Sequence, residues 1–134
     1  MYKKIIVALS LEHGISERAL NTAKALADNG AEIMAIHISE PLHSSVRFHV
    51  SDDDLRKAHE KTEAMLKERV KNHPGVTPVM LEGHAGQTLA EYAREIDADC
   101  IVIGSHKPGL RDFLLGSTAA RIVRHAPCSV HVLR

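Results

Sequence analysis

Short β-branched runs alternate with helically patterned segments along the whole of this chain, and that alternation constrains its fold more than any other feature. Lys4–Leu9 is rich in Ile and Val, and Ser10–Gly14 breaks it. From Ser16, read as an N-cap, Ala19, Leu20, Ala23, Leu26 and Ala27 recur at helical spacing until Asn29-Gly30 stops the segment. Ala31–Ile38 is the second strand, Glu40-Pro41 ends it, and residues 41–50 read as a loop. Ser51–Asp54 gives a long helix its cap and acidic first turn. Leu55, Ala58, Met65, Leu66 and Val70 form the apolar stripe of that helix, and Pro74-Gly75 closes it. Val76–Leu81 is the third strand, and Gln87–Ile96 is a helix with Leu89, Ala93 and Ile96 facing inward. Cys100–Gly104 is the fourth strand, Ser117–His125 a helix and Ser129–Leu133 the last strand.

Strands that alternate with helices imply right-handed crossovers and a parallel sheet covered on both faces. The expected architecture is α/β: one open, doubly wound, five-stranded parallel sheet of order 3-2-1-4-5, in a single domain over 1–134. Strands one and four are the most continuously apolar and should lie inside the sheet. Such sheets bind ligands beyond the carboxyl ends of their strands, where strand order reverses. If strands one and four flank that reversal, Leu9-Ser10 and Gly104-Ser105 meet at one crevice.

The loop after the fourth strand suits an anion. Gly104-Ser-His-Lys-Pro-Gly109 is followed by Gly116-Ser117-Thr118 at the start of a helix. Glycine lets a backbone approach a ligand closely, and a helix N-terminus offers unpaired N–H groups and positive dipole to phosphate. Each glycine alone reads as turn chemistry; the set reads as a phosphate site. No G-x-x-x-x-G-K-[ST] occurs, and no G-x-G-x-x-G follows the first strand. Leu9-Ser10-Leu11 also lacks the acidic pair of a phosphoreceiver domain, and no phosphorylatable Asp ends the third strand. Gly83, just past that strand, reads as a turn.

Seventeen basic and seventeen acidic side chains cancel. That balance argues against nucleic acid or an anionic membrane as the main partner. Stacking platforms are scarce too, with no Trp, two Tyr and two Phe, so the core must be aliphatic. No apolar run approaches the roughly 20 residues that span a bilayer. The N-terminal run is too short for a signal segment, so a soluble cytoplasmic protein is expected. Cys100 and Cys128 sit in apolar runs without a C-x-x-C and read as buried free thiols.

Among the ten histidines the tightest set is His125-x-x-Cys128-x-x-His131. If the last two ligands lie on a strand they project to opposite faces, so no metal site is expected. His125 suits a helix C-terminus, and His43 and His49 suit the surface. No catalytic residue is assigned. His106 is a lone loop histidine, and phosphoryl transfer needs a metal-holding acid that the crevice lacks.

Gly104-Ser-His-Lys-Pro-Gly-Leu…Leu-Leu-Gly116-Ser117, continuing into Arg124-His-Ala-Pro-Cys-Ser-Val, resembles the universal stress protein family. The opening Tyr2-Lys-Lys-Ile-Ile-Val-Ala and the order of elements match as well, so the resemblance covers the whole chain. Nucleotide-binding members carry G-x-x-G-x9-G-[ST]. Here Lys107 stands at the second glycine and the spacer is one residue short, as in a Ser-His-Arg-Pro variant of the loop. Ala8, Leu9 and Ser10 replace the family's Pro-x-Asp, putting a hydroxyl where a carboxylate would make a stronger bond.

The resemblance implies Ala8, Leu9, Ser10 and Ile38 near an adenine, with Ile103 in the same site. Gly104, Lys107, Gly116, Ser117 and Thr118 would hold ribose and phosphates. It implies ATP as ligand, with Mg²⁺ able to arrive on the triphosphate, and a regulatory role in the stress response through a protein partner. An apolar last strand exposes unpaired backbone groups, so a homodimer through Ser129–Leu133 is expected. Two other readings stay open. One is a dimeric interaction protein that has lost its ligand. The other is a slow ATP hydrolase or self-phosphorylating protein, with Ser105, Ser117 and Thr118 as acceptors.

Overall fold

The computed structural model describes residues 1–11, 15–105 and 115–134. Its elements follow in the order β1 (Tyr2–Ala8), α1 (Ser16–Leu26), β2 (Ala27–Ser39), α2 (Ser44–Arg47), α3 (Asp52–Val70), β3 (Val76–Glu82), α4 (Ala85–Glu95), β4 (Cys100–Gly104), α5 (Ser117–His125) and β5 (Ser129–Leu133). All four strand pairings are parallel, and the sheet order is β3-β2-β1-β4-β5. The expected α/β architecture and strand order are therefore those found.

Side-chain alternation splits the core into two layers. Ile5, Val7, Leu9, Ile33, Ala35, Cys100 and Val102 face α1 and the C-terminal end of α3. Ile6, Met34, Ile36, Ile101 and Ile103 face α4 and α5. With β1 and β4 inside the sheet, Ile5, Ile6, Val7, Ile101 and Val102 are all fully buried. At the opposite end from the crevice, the Asp99 carboxylate accepts from the backbone N–H of Lys3 at 2.8 Å and of Lys4 at 2.9 Å. This ties the start of β4 to β1. The turn before it is a Schellman closure: Ala98 N–H reaches Ala93 C=O at 2.9 Å, and Asp97 takes the positive φ of 53°.

Several boundaries differ from those expected. Ser16 does not cap α1; Ile15 holds that position, and Ser16 is the first helical residue, 98% buried with Arg69 Nη1 at 3.4 Å from its hydroxyl. The helix stops at Leu26, before Asn29-Gly30, and β2 starts at Ala27. Gly30, at φ 81°, lies inside β2 where the pairing slips: Tyr2 faces Ala27 but Lys4 faces Glu32. Glycine there relieves a bulge rather than ending a helix. Residues 41–50 are not all loop, because Ser44–Arg47 form a single helical turn capped by the His43 ring. One turn leaves no periodicity to read. In α3 only Leu66 and Val70 of the expected stripe are buried; Leu55 is half-buried, and Ala58 and Met65 are exposed. A 19-residue helix outruns the sheet it covers, so its first half finds no apolar partner there.

A hydrogen bond joins α1 to the turn after α3. His73 is 4% exposed, and its Nε2 lies 3.1 and 3.0 Å from the two carboxylate oxygens of Glu17. The bond from His73 holds the Glu17 carboxyl below the ordinary glutamate range, and Asn21 and Lys24 add to the effect. A carboxylate with a lowered folded pKa stabilises the fold above its unfolded pKa, and that contribution is lost as pH falls through the folded value. Acid unfolding should therefore be steeper for the parent than for Glu17→Gln below the ordinary glutamate pKa. Parallel stability–pH curves would show that the pair contributes nothing.

Candidate functional site

Strand order reverses between β1 and β4, since β2 and β3 lie on one side of β1 while β4 and β5 lie on the other. Val7 pairs with Val102, so the residues after Ala8 and those at Gly104 leave the sheet side by side. This is where a doubly wound sheet takes a ligand. Ala8, Ile38 and Ile103 belong to the same apolar layer, on the α4 and α5 side of the sheet. Leu9 is different. Its side chain is 5% exposed and packs in the opposite layer, so it offers the crevice backbone only. Ser10 is half-buried.

The far wall is closed by backbone hydrogen bonds. Ser105, 2% exposed, donates its N–H to Leu133 C=O at 2.7 Å. Its own carbonyl accepts from Gly116 N–H at 2.6 Å. That second bond draws the N-terminus of α5 to the carboxyl end of β4. Gly116 is the N-cap, with φ −61° and ψ 157°, and among the described residues no side chain caps the helix. The intrahelical ladder begins at Ala120 N–H to Gly116 C=O, 2.8 Å. The N–H groups of Ser117, Thr118 and Ala119 precede it. No acidic residue stands in the first turn of the helix, and Arg124 and His125 stand in the last, an order that suits the helix dipole. Ala119 and Ile122, both buried, lock α5 onto the sheet.

Gly104 closes the approach from below. A Cβ placed there would lie 3.1 Å from Ile15 Cδ1, closer than side chains normally pack. Gly83 meets the expectation of a turn: its φ is 143°, and a Cβ would fall 2.3 Å from Thr88 Oγ1. Lys107, His106 and Gly109 lie outside the described residues. The structure thus brings together Ala8, Ser10, Ile38, Ile103, Gly104, Gly116, Ser117 and Thr118 at one end of the sheet.

Three residues without a sequence signal also make contacts at this end of the sheet. Ile15 packs under Gly104, His37 Nδ1 lies 3.2 Å from Leu9 C=O, and Arg69 Nη2 donates to Leu11 C=O at 2.9 Å. Side chains that bind main-chain carbonyls far away in sequence follow no motif, so nothing in the spacing announced them.

The thiols are unsuited to nucleophilic work. Burial pushes Cys100 up to about 11, with Cys128 and Asp99 adding to it, and burial also raises Cys128. Cys128 packs with the α4–α5 layer, whereas His131 is at an exposed position of β5. No group of three metal-ligating side chains occurs among the described residues. Among the same residues, no helix is long and apolar enough to cross a membrane.

The universal stress protein family model matches residues 1–134. Universal stress protein G of Salmonella typhimurium is 32% identical over 143 aligned positions, covering all of both chains. A universal stress protein solved in complex with cAMP superposes with a TM-score of 0.68 at 24% identity, covering 99% of this chain and 97% of the other. The universal stress protein from Archaeoglobus fulgidus in complex with dAMP gives 0.65 at 22% identity, covering 99% and 98%. These two likenesses are of fold. The match over the whole chain and the close bacterial relative establish more: this chain belongs to the universal stress protein family.

Proposed function

We propose that this chain is an adenine-nucleotide-binding module of the stress response, working in the cytoplasm, whose ligand state regulates contacts with a second copy and a protein partner. One observation carries the reading. The Gly116–Ser105 bond sets the N-terminus of α5, which no described side chain caps, against the carboxyl end of β4, at the strand-order reversal. Uncapped N–H groups and a positive dipole fit a phosphate. The apolar Ala8, Ile38 and Ile103 fit a base, and Ser10 can hydrogen-bond its edge or the ribose. Gly104, Gly116, Ser117 and Thr118 take ribose and phosphates, and Lys107 adds a point charge. The proposed ligand is ATP, with Mg²⁺ carried on its phosphates. Two proteins of the same fold were solved with cAMP and dAMP, which supports an adenine nucleotide as the class.

The chain has no Trp and two Tyr, so a retained nucleotide would dominate its ultraviolet spectrum near 260 nm. Ligand present at 100 times its dissociation constant stabilises the fold by about 2.7 kcal/mol, which a melting curve resolves. A plain protein spectrum with no melting shift on adding Mg-ATP or AMP would favour a second reading, a dimeric interaction protein without ligand. Ser10 in place of a carboxylate is the feature that favours it. Radiolabelled phosphate released from ATP, or bound to the protein, would move the reading to an enzyme.

The same proposal includes a homodimer through β5. The two sheet edges differ: β3 carries Pro78, which lacks an N–H and blunts that edge. On β5, Leu133 C=O is directed to β4, so Ser129 and His131 face inward with it. Val130 and Val132 then turn their N–H and C=O groups to the free edge. Val130→Pro should remove an outward N–H without breaking the β4–β5 ladder. Light scattering should fall from twice the chain mass to the chain mass. A Val130→Pro protein that stays dimeric would place the interface elsewhere.

A further inference from the structure

We infer that His37 and Arg69 are positioning residues that fix Ser10 at the crevice, a deepening that rests on the nucleotide reading above. The carbonyls on either side of Ser10 are each held by a side chain from another element. His37, near the end of β2, has Nδ1 at 3.2 Å from Leu9 C=O. A carbonyl only accepts, so Nδ1 carries the proton, and it does so in both the neutral and the charged ring. Arg69, in the last turn of α3, donates Nη2 to Leu11 C=O at 2.9 Å. Its other nitrogen lies 3.4 Å from Ser16 Oγ, at the first residue of α1.

The backbone of this run is fixed on its remaining sides as well. Leu9 N–H donates to Ile36 C=O at 2.9 Å, which continues the β1–β2 ladder one residue past the strand. Leu9 and Leu11 bury their side chains at 5% and 3% exposure. Ser10 alone stands out of this packing, half-buried, with its neighbours immobilised on both sides. A hydroxyl is a weaker partner than a carboxylate. Holding it in place before the ligand arrives lowers the ordering cost of binding and recovers part of that difference. The bonds that His37 and Arg69 make beside Ser10 go to main-chain carbonyls, so their proposed role is to act through that backbone.

The test is calorimetric titration of AMP into nucleotide-stripped protein for the parent, Arg69→Met, His37→Leu and His37→Asn. At metal sites, residues that orient a ligating side chain from behind typically change affinity by about 10–100-fold when mutated, and the lower end of that range is taken for the backbone of Ser10. Arg69→Met and His37→Leu should each bind AMP about tenfold more weakly, and amide exchange at Leu9–Leu11 in the free protein should quicken. Asn carries an amide N–H close to the place of Nδ1, so His37→Asn should return to within about threefold of the parent. A role in stability alone would shift the melting temperature and leave the affinity of the folded protein unchanged. Parent-like AMP affinity in both Arg69→Met and His37→Leu overturns the inference and leaves the nucleotide reading standing. A loss in His37→Leu that His37→Asn does not recover also overturns the role of His37. No binding of AMP or ATP by the parent overturns both readings. If Arg69→Met does not fold, the two His37 variants decide.

Discussion

Gly116→Asp is expected to abolish nucleotide binding while leaving the protein as stable as before, or slightly more so. The backbone at Gly116 has φ −61° and ψ 157°, an ordinary extended conformation that aspartate adopts without strain. The position is an N-cap, where Asp is among the preferred residues and improves on Gly by a few tenths of a kcal/mol. Its carboxylate would accept from the N–H groups of Thr118 or Ala119 and put a negative charge where the phosphate is proposed to sit. Competition and repulsion together should cost at least about 100-fold in affinity, or about 2.7 kcal/mol. Gly116→Asn, which caps without charge, should lose less. The bond from Gly116 N–H to Ser105 C=O is main-chain and survives either change. Better stability with lost binding is a pattern that general damage does not produce. Unchanged binding in Gly116→Asp would remove the phosphate from the start of α5.

The largest loss of stability should follow Ile101→Ala. Ile101 is fully buried in β4, with Ile6 opposite it on β1 and Val130 opposite it on β5. It packs in the layer shared with Ala119 and Ile122 of α5 and Leu89 of α4. Removing a large aliphatic side chain from such a place costs about 2–5 kcal/mol, because transfer free energy is lost and a cavity is left. Against a total of about 5–15 kcal/mol, the change takes a large share. Ile101→Val, which loses one methyl group, should cost about 0.5–1.5 kcal/mol. Denaturant melts of the two variants would measure both. A loss below about 1 kcal/mol for Ile101→Ala would mean that the layer collapses freely around the cavity, contrary to dense packing on both sides of β4.

The fold was readable because its signals are periodic and local. Ile5-Ile6-Val7 and Ile101-Val102-Ile103 mark strands buried on both faces, and the helically patterned segments between them supply the crossovers that make the sheet parallel. Ser51 caps α3 as its sequence suggests, accepting from Asp54 N–H at 3.0 Å. Misreadings came where one residue type serves two conformations. Gly30 ends helices and relieves bulges equally well, and only pairing with β1 decides between them. Ser16 looks like a cap, yet its hydroxyl lies near Arg69 from a helix 53 residues on. The candidate site was legible as far as Gly104, Gly116 and the α5 N-terminus. The turn of Leu9 into the opposite layer, and the hold of His37 and Arg69 on the carbonyls beside Ser10, depend on how three elements pack. Neither composition nor spacing encodes that.

This crevice is proposed to take an adenine nucleotide with its phosphate at the start of α5. Isothermal titration of ATP into the nucleotide-stripped full chain, with and without Mg²⁺, tests it most directly. Saturable binding of one nucleotide per chain is predicted, with a dissociation constant well below about 1 mM, and at least about 100-fold weakening in Gly116→Asp. No saturable heat with ATP, AMP or cAMP up to about that concentration would contradict it.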